Sequence, residues 1–274
     1  MTDGLTGLPS SLAIERREHV AVLTLNRVEK RNALDGETIR GLGRFFASPP
    51  GWARVVVLAA AGNHFAAGLD MSELADLDAV AGLHHSRSWH EAFARIEFGP
   101  LPVVAVLKGA VIRAGLELAA CAHVRVAEDS AFFAFPEGQR GLFVGGGASV
   151  REPRLIGTHR MVDMMLTGRV LRADEGAAAG LAQYRVADEA GLDKAHELAA
   201  TIARNSPITN YAVIEALPRI AEAPAETGLL LESLMAAVSQ SSSEAKDRMS
   251  AFLAGRRRRW RRHGRSNEFS PRSV

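Results

Sequence analysis

"KGAVIRAGLELAACAHVRVAED", Lys108 to Asp129, decides the fold class. An apolar, valine-rich run, "VVAVL" (103–107), leads into it, and "HVRVAED" closes it as a second short strand. Between the two, Leu116, Ala119 and Ala120 recur at helical spacing immediately after Gly115. Strand, helix and strand in succession are the building unit of an α/β domain. The same rhythm extends upstream. "HVAVLTLNR" (19–27) reads as a strand apolar on both faces, and Asp35 is placed to cap a helix carrying Ile39, Leu42, Phe45 and Phe46 on one side. "SPPGW" (48–52) stops that helix, "ARVVVLAAAG" (53–62) is the next strand, and a helical pattern runs from about His84 to Phe98. Downstream, "AFFAFPE" (131–137) supplies another strand.

Beyond residue 190 the pattern turns helical. Ser206 and Pro207 open one helix that Pro218 should kink or end, and a second spans about 227–240. A third has Ser241 and Glu244 in capping-box spacing and Gly255 past its end. The reading divides the chain into an α/β core over 1–200, a helical region over 201–260 and a basic tail over 261–274.

With 274 residues, 47% of them hydrophobic, the chain can bury a sizeable core. No apolar run reaches the roughly 18 residues of a membrane span, so none is expected. The lone cysteine, Cys121, cannot form an internal disulfide, which fits a reducing, cytoplasmic setting. The net charge of +2 hides an asymmetry: eight of the 33 basic residues and one of the 31 acidic ones follow Gly255, leaving 25 against 30 before it. "RRRRWRRHGR" (256–265) reads either as a solvated terminus or as an attractor of phosphates; nucleic acid is not the expected partner.

Three glycine-rich stretches follow strands: "GNHFAAGLD" (62–70), "KGAVIRAGLE" (108–117) and "PEGQRGLFVGGGAS" (136–149). Glycine lets backbone approach a ligand closely, so these loops suggest a site walled by main chain. None is a phosphate-binding P-loop or a dinucleotide fingerprint. The helix starting near Gly115 leaves N–H groups without internal acceptors, a natural oxyanion hole. Glu117 in its first turn is either a dipole-matching surface acid or a functional one. Glu137, at the end of an aromatic strand, is either a solvated loop acid or a carboxyl with an altered pKa. Two carboxyls from separate loops can divide the roles of base and acid in adding water to a double bond. His84, His85 and His90 lack a supporting acid or cysteine pattern and are expected to face solvent; no metal is expected.

Taken together, "LNRVEKRNAL" (25–34), "HFAAGLDMSEL" (64–74), "KGAVIRAGLELAACAHVRVAED", "FPEGQRGLFVGGG" (135–147) and "SEAKDRMSAFLAGRRRRW" (243–260) resemble the crotonase superfamily, the enoyl-CoA hydratase and isomerase family. The resemblance spans about residues 12–260. It implies an α/β fold, a crotonase-like spiral of ββα units with a C-terminal helical region, assembled as a homotrimer or a dimer of trimers. It implies an acyl-CoA substrate, no separate cofactor, and an oxyanion hole formed by the N–H groups of Leu69 and Ala114. Glu117 would activate water and Glu137 would protonate the α-carbon. The CoA portion would lie along Lys30, Ala33, Ala67, Asp70 and Met71, with Gly141 and Gly145 also at the binding site. Retention of both acids implies hydration of a trans-2-enoyl-CoA; isomerisation, thioester hydrolysis and non-catalytic acyl-CoA binding are the alternatives. The acyl pocket is expected between about 72 and 98 and near Phe143. Three positions depart from the family pattern: Val28, Val144 and Arg113, which precedes the oxyanion donor and is expected to point outward.

Overall fold

A valine-rich strand that is apolar on both faces must be covered on both. The computed structural model, which describes residues 7–74 and 77–264, shows how. In chain order the elements are β1 (Leu12–Arg17), β2 (Val20–Leu25), α1 (Gly36–Ala47), β3 (Val55–Ala60), α2 (Ala79–Glu97), β4 (Val103–Leu107), β5 (Ala110–Ile112) and α3 (Ala114–Ala120). There follow β6 (Val124–Glu128), β7 (Phe132–Ala134), α4 (Ala148–Ile156), α5 (Thr158–Thr167), β8 (Val170–Arg172), α6 (Ala173–Ala179), β9 (Tyr184–Val186) and α7 (Gly191–Ala203). Helices α8 (Pro207–Glu215), α9 (Leu217–Glu222), α10 (Ala225–Ser241) and α11 (Ser243–Gly264) complete the chain.

Six strands form a sheet in the order β1-β2-β3-β4-β6-β9, parallel except for the antiparallel β1–β2 pair. Ala21, Leu23 and Leu25 of β2 face a core that includes Leu42 and Phe46 of α1, whereas Val20 and Val22 face a separate cluster closed by Ala195 and Ala199 of α7. A second sheet, β5-β7-β8, collects the short strands, and an isolated bridge adds Ala66 beside Val111. Successive turns therefore repeat a long strand, a short strand and a helix, as in β4-β5-α3. This is the mixed α/β architecture expected from the sequence.

The structure departs from the sequence reading in detail. Helix α2 begins at Ala79 because Asp78 caps it, its Oδ1 accepting from the Ala81 N–H at 2.8 Å. Ser242, not Ser241, caps α11, accepting from the Ala245 N–H at 3.2 Å. Nor does Gly255 end that helix, which runs to Gly264; one glycine costs a helix only about 1 kcal/mol, and arginine is a good helix former. The chain divides into two compact units, Met1–Glu215 and Ala216–Val274. The first passes residue 200 because Asn210 of α8 donates from Nδ2 to the Ile202 carbonyl of α7 at 3.0 Å. The second holds α9 to α11. Of the basic tail over 261–274, the backbone is helical to Gly264, and 265–274 lie outside the described residues.

The loops leaving β2 and β3 are fastened by one buried amide. Asn32, held at φ 56°, donates from Nδ2 to the carbonyls of Ala61 (2.9 Å) and His64 (2.8 Å). Its Oδ1 accepts from the Arg27 N–H at 2.8 Å. Replacing Asn32 by alanine removes the partner of three partly buried backbone groups, and leaving a buried polar group unpaired costs about 1–3 kcal/mol. Asn32→Ala should therefore lower stability by at least about 2 kcal/mol in urea unfolding; a loss under about 0.5 kcal/mol would contradict this account.

Candidate active site

The short sheet stacks three loop ends side by side, those after β3, β5 and β7. Ala66 N–H donates to the Ala110 carbonyl at 3.0 Å and the Ile112 N–H donates back to Ala66 at 3.2 Å. The Arg113 N–H donates to the Ala134 carbonyl of β7 at 3.1 Å. Helix α3 starts from this point and packs onto the Ala66 strand without an intervening side chain. A Cβ on Gly115 would run into the Ala66 carbonyl, so only glycine permits the contact.

That approach exposes two N–H groups on one wall. Leu34 is bridged to the Leu69 segment through its N–H to the Gly68 carbonyl (2.8 Å) and its carbonyl to the Asp70 N–H (2.8 Å), which turns the Leu69 N–H away from Leu34. Ala114 is the first residue of α3, where an N–H has no partner within the helix. Neither N–H donates to any described residue, and both residues line one pocket.

Glu117 and Glu137 line the same pocket, together with Met71, Gly82, His85, Ser86, Trp89, Arg113, Leu142, Phe143, Val144, Gly145 and Gly146. The expected acyl-pocket segments, 72–98 and the neighbourhood of Phe143, are thus both represented. Lys30, Ala33, Ala67, Asp70 and Gly141 do not line the pocket. Lys30 and Ala33 lie in the turn behind the Leu69 wall, and Ala67 is tied to it through its N–H to the Arg31 carbonyl. The carboxylate of Asp70 is engaged by Arg27 (3.0 Å) and by the Ser72 hydroxyl (2.8 Å). Arg27 reaches Asp35 as well, at 3.1 Å, so Asp70 belongs to a clamp across the loop bases. Gly141, at φ 68°, closes the turn after Glu137.

Both carboxyls are buried, and both are harder to ionise than an ordinary glutamate. Burial and the nearby Glu137 push the Glu117 pKa up to about 7; the N–H groups of Gly145 and Gly146 and the charge of Arg151 oppose this. Gly146 lacks the Cβ that would collide with Glu117 Oε2, an atom without a hydrogen-bond partner among the described residues. Burial also raises Glu137, against the pull of its own N–H, Arg113 and Arg140. The surface-acid readings of both residues are therefore set aside.

Arg113 does not point outward. It is only 9% exposed, lines the pocket, and lays its side chain on Gly68, where an added Cβ would sit 2.9 Å from the arginine Cβ. Its backbone, at φ 53° and ψ −129°, lies where glycine is comfortable and other residues carry roughly 1–3 kcal/mol of strain. Its charge acts on Glu137; no effect on Glu117 is resolved. The histidine expectation is corrected too. His84 is exposed, but His85 and His90 are half-buried, and His85 packs on Trp89 with ring centroids 5.5 Å apart. Among the described residues no cluster of His, Cys, Asp or Glu could hold a metal.

Sequence reasoning missed a layer behind the site. Glu152 of α4 is fully buried, neither carboxyl oxygen has a partner among the described residues, and burial together with Glu117 raises its pKa well above the ordinary value. Its neighbour Arg151 pairs with Glu97 at 2.6 Å and donates to the Gly146 carbonyl at 3.1 Å, fixing the loop that faces Glu117. The adjacent "RE" looked like any exposed pair on a helix.

Known proteins share this arrangement of chain. The enoyl-CoA hydratase/isomerase family profile matches residues 15–263. The 2,3-dehydroadipyl-CoA hydratase of Escherichia coli (strain K12) is 31% identical over 249 residues, covering 90% of this chain and 97% of that protein. The short-chain-enoyl-CoA hydratase of Clostridium acetobutylicum is 29% identical over 251 residues, 90% of this chain and 96% of its own. A crystal structure of a Rhodopseudomonas palustris CGA009 protein provisionally named an enoyl-CoA hydratase superposes with a TM-score of 0.89 at 52% identity, covering 91% of this chain and 97% of that one. The chain belongs to the enoyl-CoA hydratase/isomerase family.

Proposed function

We propose that this pocket adds water reversibly to a trans-2-enoyl-CoA thioester, the reaction named for its hydratase relatives. One observation carries the reading: two buried carboxyls of raised pKa face the same pocket as two N–H groups that have no acceptor among the described residues. The N–H groups of Leu69 and Ala114 bind the thioester oxygen and hold the negative charge that develops there as water attacks the β-carbon. Glu117 takes a proton from that water and Glu137 delivers one to the α-carbon; dehydration runs the same transfers backwards. No separate cofactor takes part, because CoA is carried by the substrate. Isomerisation needs one carboxyl to move a proton between carbons, so the second acid in the pocket favours hydration.

Lys30, Ala33, Ala67, Asp70 and Met71 are the proposed contacts of the CoA portion, with Met71 at the pocket itself. The apolar side chains exposed on α10 and α11, among them Leu229, Leu230, Leu234 and Met249, support self-association as a trimer or a dimer of trimers. Among the described residues no helix is long and apolar enough to cross a membrane. The lone thiol is buried and donates to the Glu117 carbonyl at 3.2 Å, which suits a reducing cytoplasm.

Hydration of crotonyl-CoA, followed by loss of the conjugated enoyl absorbance, tests the reading. Glu117→Gln and Glu137→Gln should each reduce kcat by roughly 10²- to 10⁴-fold while acyl-CoA binding persists. An active enzyme unaffected by Glu137→Gln would overturn the mechanism. The pH profile tests the electrostatics. Either direction of reaction needs one proton on the pair. Arg113 and Arg140 pull on Glu137 and Arg151 pulls on Glu117, whose pKa burial and Glu137 nonetheless push up to about 7; with Glu117 as the last of the pair to ionise, that proton is lost as pH rises through about 7. Hydration kcat/KM should therefore fall above that pH; a profile still rising well beyond it would contradict this ordering.

A further inference from the structure

We propose that Arg113 binds a carboxylate borne by the acyl chain, so that the preferred substrate is the CoA thioester of an unsaturated dicarboxylic acid. The proposal rests on reading the pocket as an acyl-CoA site. Arg113 is buried, yet its guanidinium forms no hydrogen bond or ion pair with any described residue, and its Nε is enclosed without an acceptor. Desolvating a cation without a partner is costly, and the backbone at this position is strained as well. An anionic ligand would supply the partner that the guanidinium lacks among the described residues.

The neighbouring groups do not supply that anion. Glu137 is near enough to feel Arg113 but makes no ion pair with it. Glu117 lies in the same pocket and registers no effect of the arginine. Arg140, the other charge felt by Arg113, is a cation. Nor is the thioester oxygen the partner, since the Leu69 and Ala114 N–H groups serve it. The phosphates of CoA lie at the far end of the pantetheine arm from the thioester, while Arg113 adjoins the residue that would hold the thioester oxygen. What remains within reach is the acyl chain. The walls around it are largely apolar, including Trp89, Leu142, Phe143 and Val144, so a carboxylate entering them has a strong reason to find the guanidinium. Arginine, with its planar fork of donors, is suited to grip one carboxylate with two bonds.

The test is equilibrium binding of two saturated thioesters of equal chain length, adipyl-CoA and hexanoyl-CoA, neither of which can be hydrated. The wild type should bind adipyl-CoA roughly 10- to 100-fold more tightly, the range expected for hydrogen bonds to a charged group. Arg113→Gln should abolish or reverse that preference. The proposal is overturned if the wild type shows no preference, or if the preference survives in Arg113→Gln. It is equally overturned if the variant loses affinity for both ligands alike, because the arginine would then serve the shared CoA portion. The wild-type ratio needs no variant to fold. Because it needs no turnover either, its failure is distinguishable from failure of the hydratase reading, which would show as no hydration of either crotonyl-CoA or the trans-2-enoyl thioester of adipic acid.

Discussion

The contact between Gly115 and Ala66 is the constraint on which the site depends. A helix normally keeps its distance from a neighbouring strand because side chains stand between them. Here the first turn of α3 rests on main chain, since the position facing the Ala66 carbonyl carries no Cβ. The close approach brings two loop ends from different strands to one wall, so that the Leu69 and Ala114 N–H groups open into one pocket. Donors of this kind are useful in proportion to how little they must move when charge develops. Their rigidity comes from paired backbone: the hydrogen bonds of Gly68 and Asp70 to Leu34 on one side, and that of Arg113 to Ala134 on the other.

A second close approach sets the chemistry of the acid. Gly146 admits the Glu117 carboxyl to within reach of the loop backbone, and Arg151, anchored by Glu97, holds that loop from behind. Burial is the leading cause of the raised pKa of Glu117, of Glu137 and of Glu152. Glu152 is fully buried with no hydrogen-bond partner among the described residues, and burial with Glu117 holds its pKa well above the ordinary carboxylate value against the pull of Arg151 and Arg125.

Much of this was legible in the sequence. The strands alternate because both faces of the sheet are covered, and the glycines after them mark the places where backbone meets backbone. Glu117 and Glu137 stood out as acids set in apolar surroundings. What local pattern could not carry was the direction of side chains set by distant contacts. Arg113 was expected to face solvent, yet Gly68, 45 positions earlier, leaves the space into which it folds. Strand β1 escaped notice because "LAIERR" is an edge strand with its charged half exposed, and three-residue strands such as β8 and β9 are too short for a periodic signal. Glu152 gave no sign at all, because nothing in "SVREPRL" distinguishes an acid that α4 turns inward from one it turns out.

The charges of the site bear on one another through Glu137. Arg113 and Arg140 oppose the burial that raises its pKa, while Glu117 is pushed up to about 7 against the pull of Arg151, an ordering that assigns the pair's last proton to Glu117. That distribution suits dehydration, in which Glu137 removes the α-proton and Glu117 protonates the departing hydroxyl. Hydration needs the proton on the other partner. A substrate carboxylate on Arg113, as proposed, would cancel the larger of the two positive fields on Glu137 and add a negative one, and both changes raise its proton affinity. The proton then moves toward the acid that must deliver it, and Glu117 is left free to accept one from water. An arginine that selects the substrate by its charge would thereby also prepare the acid pair for adding water to it.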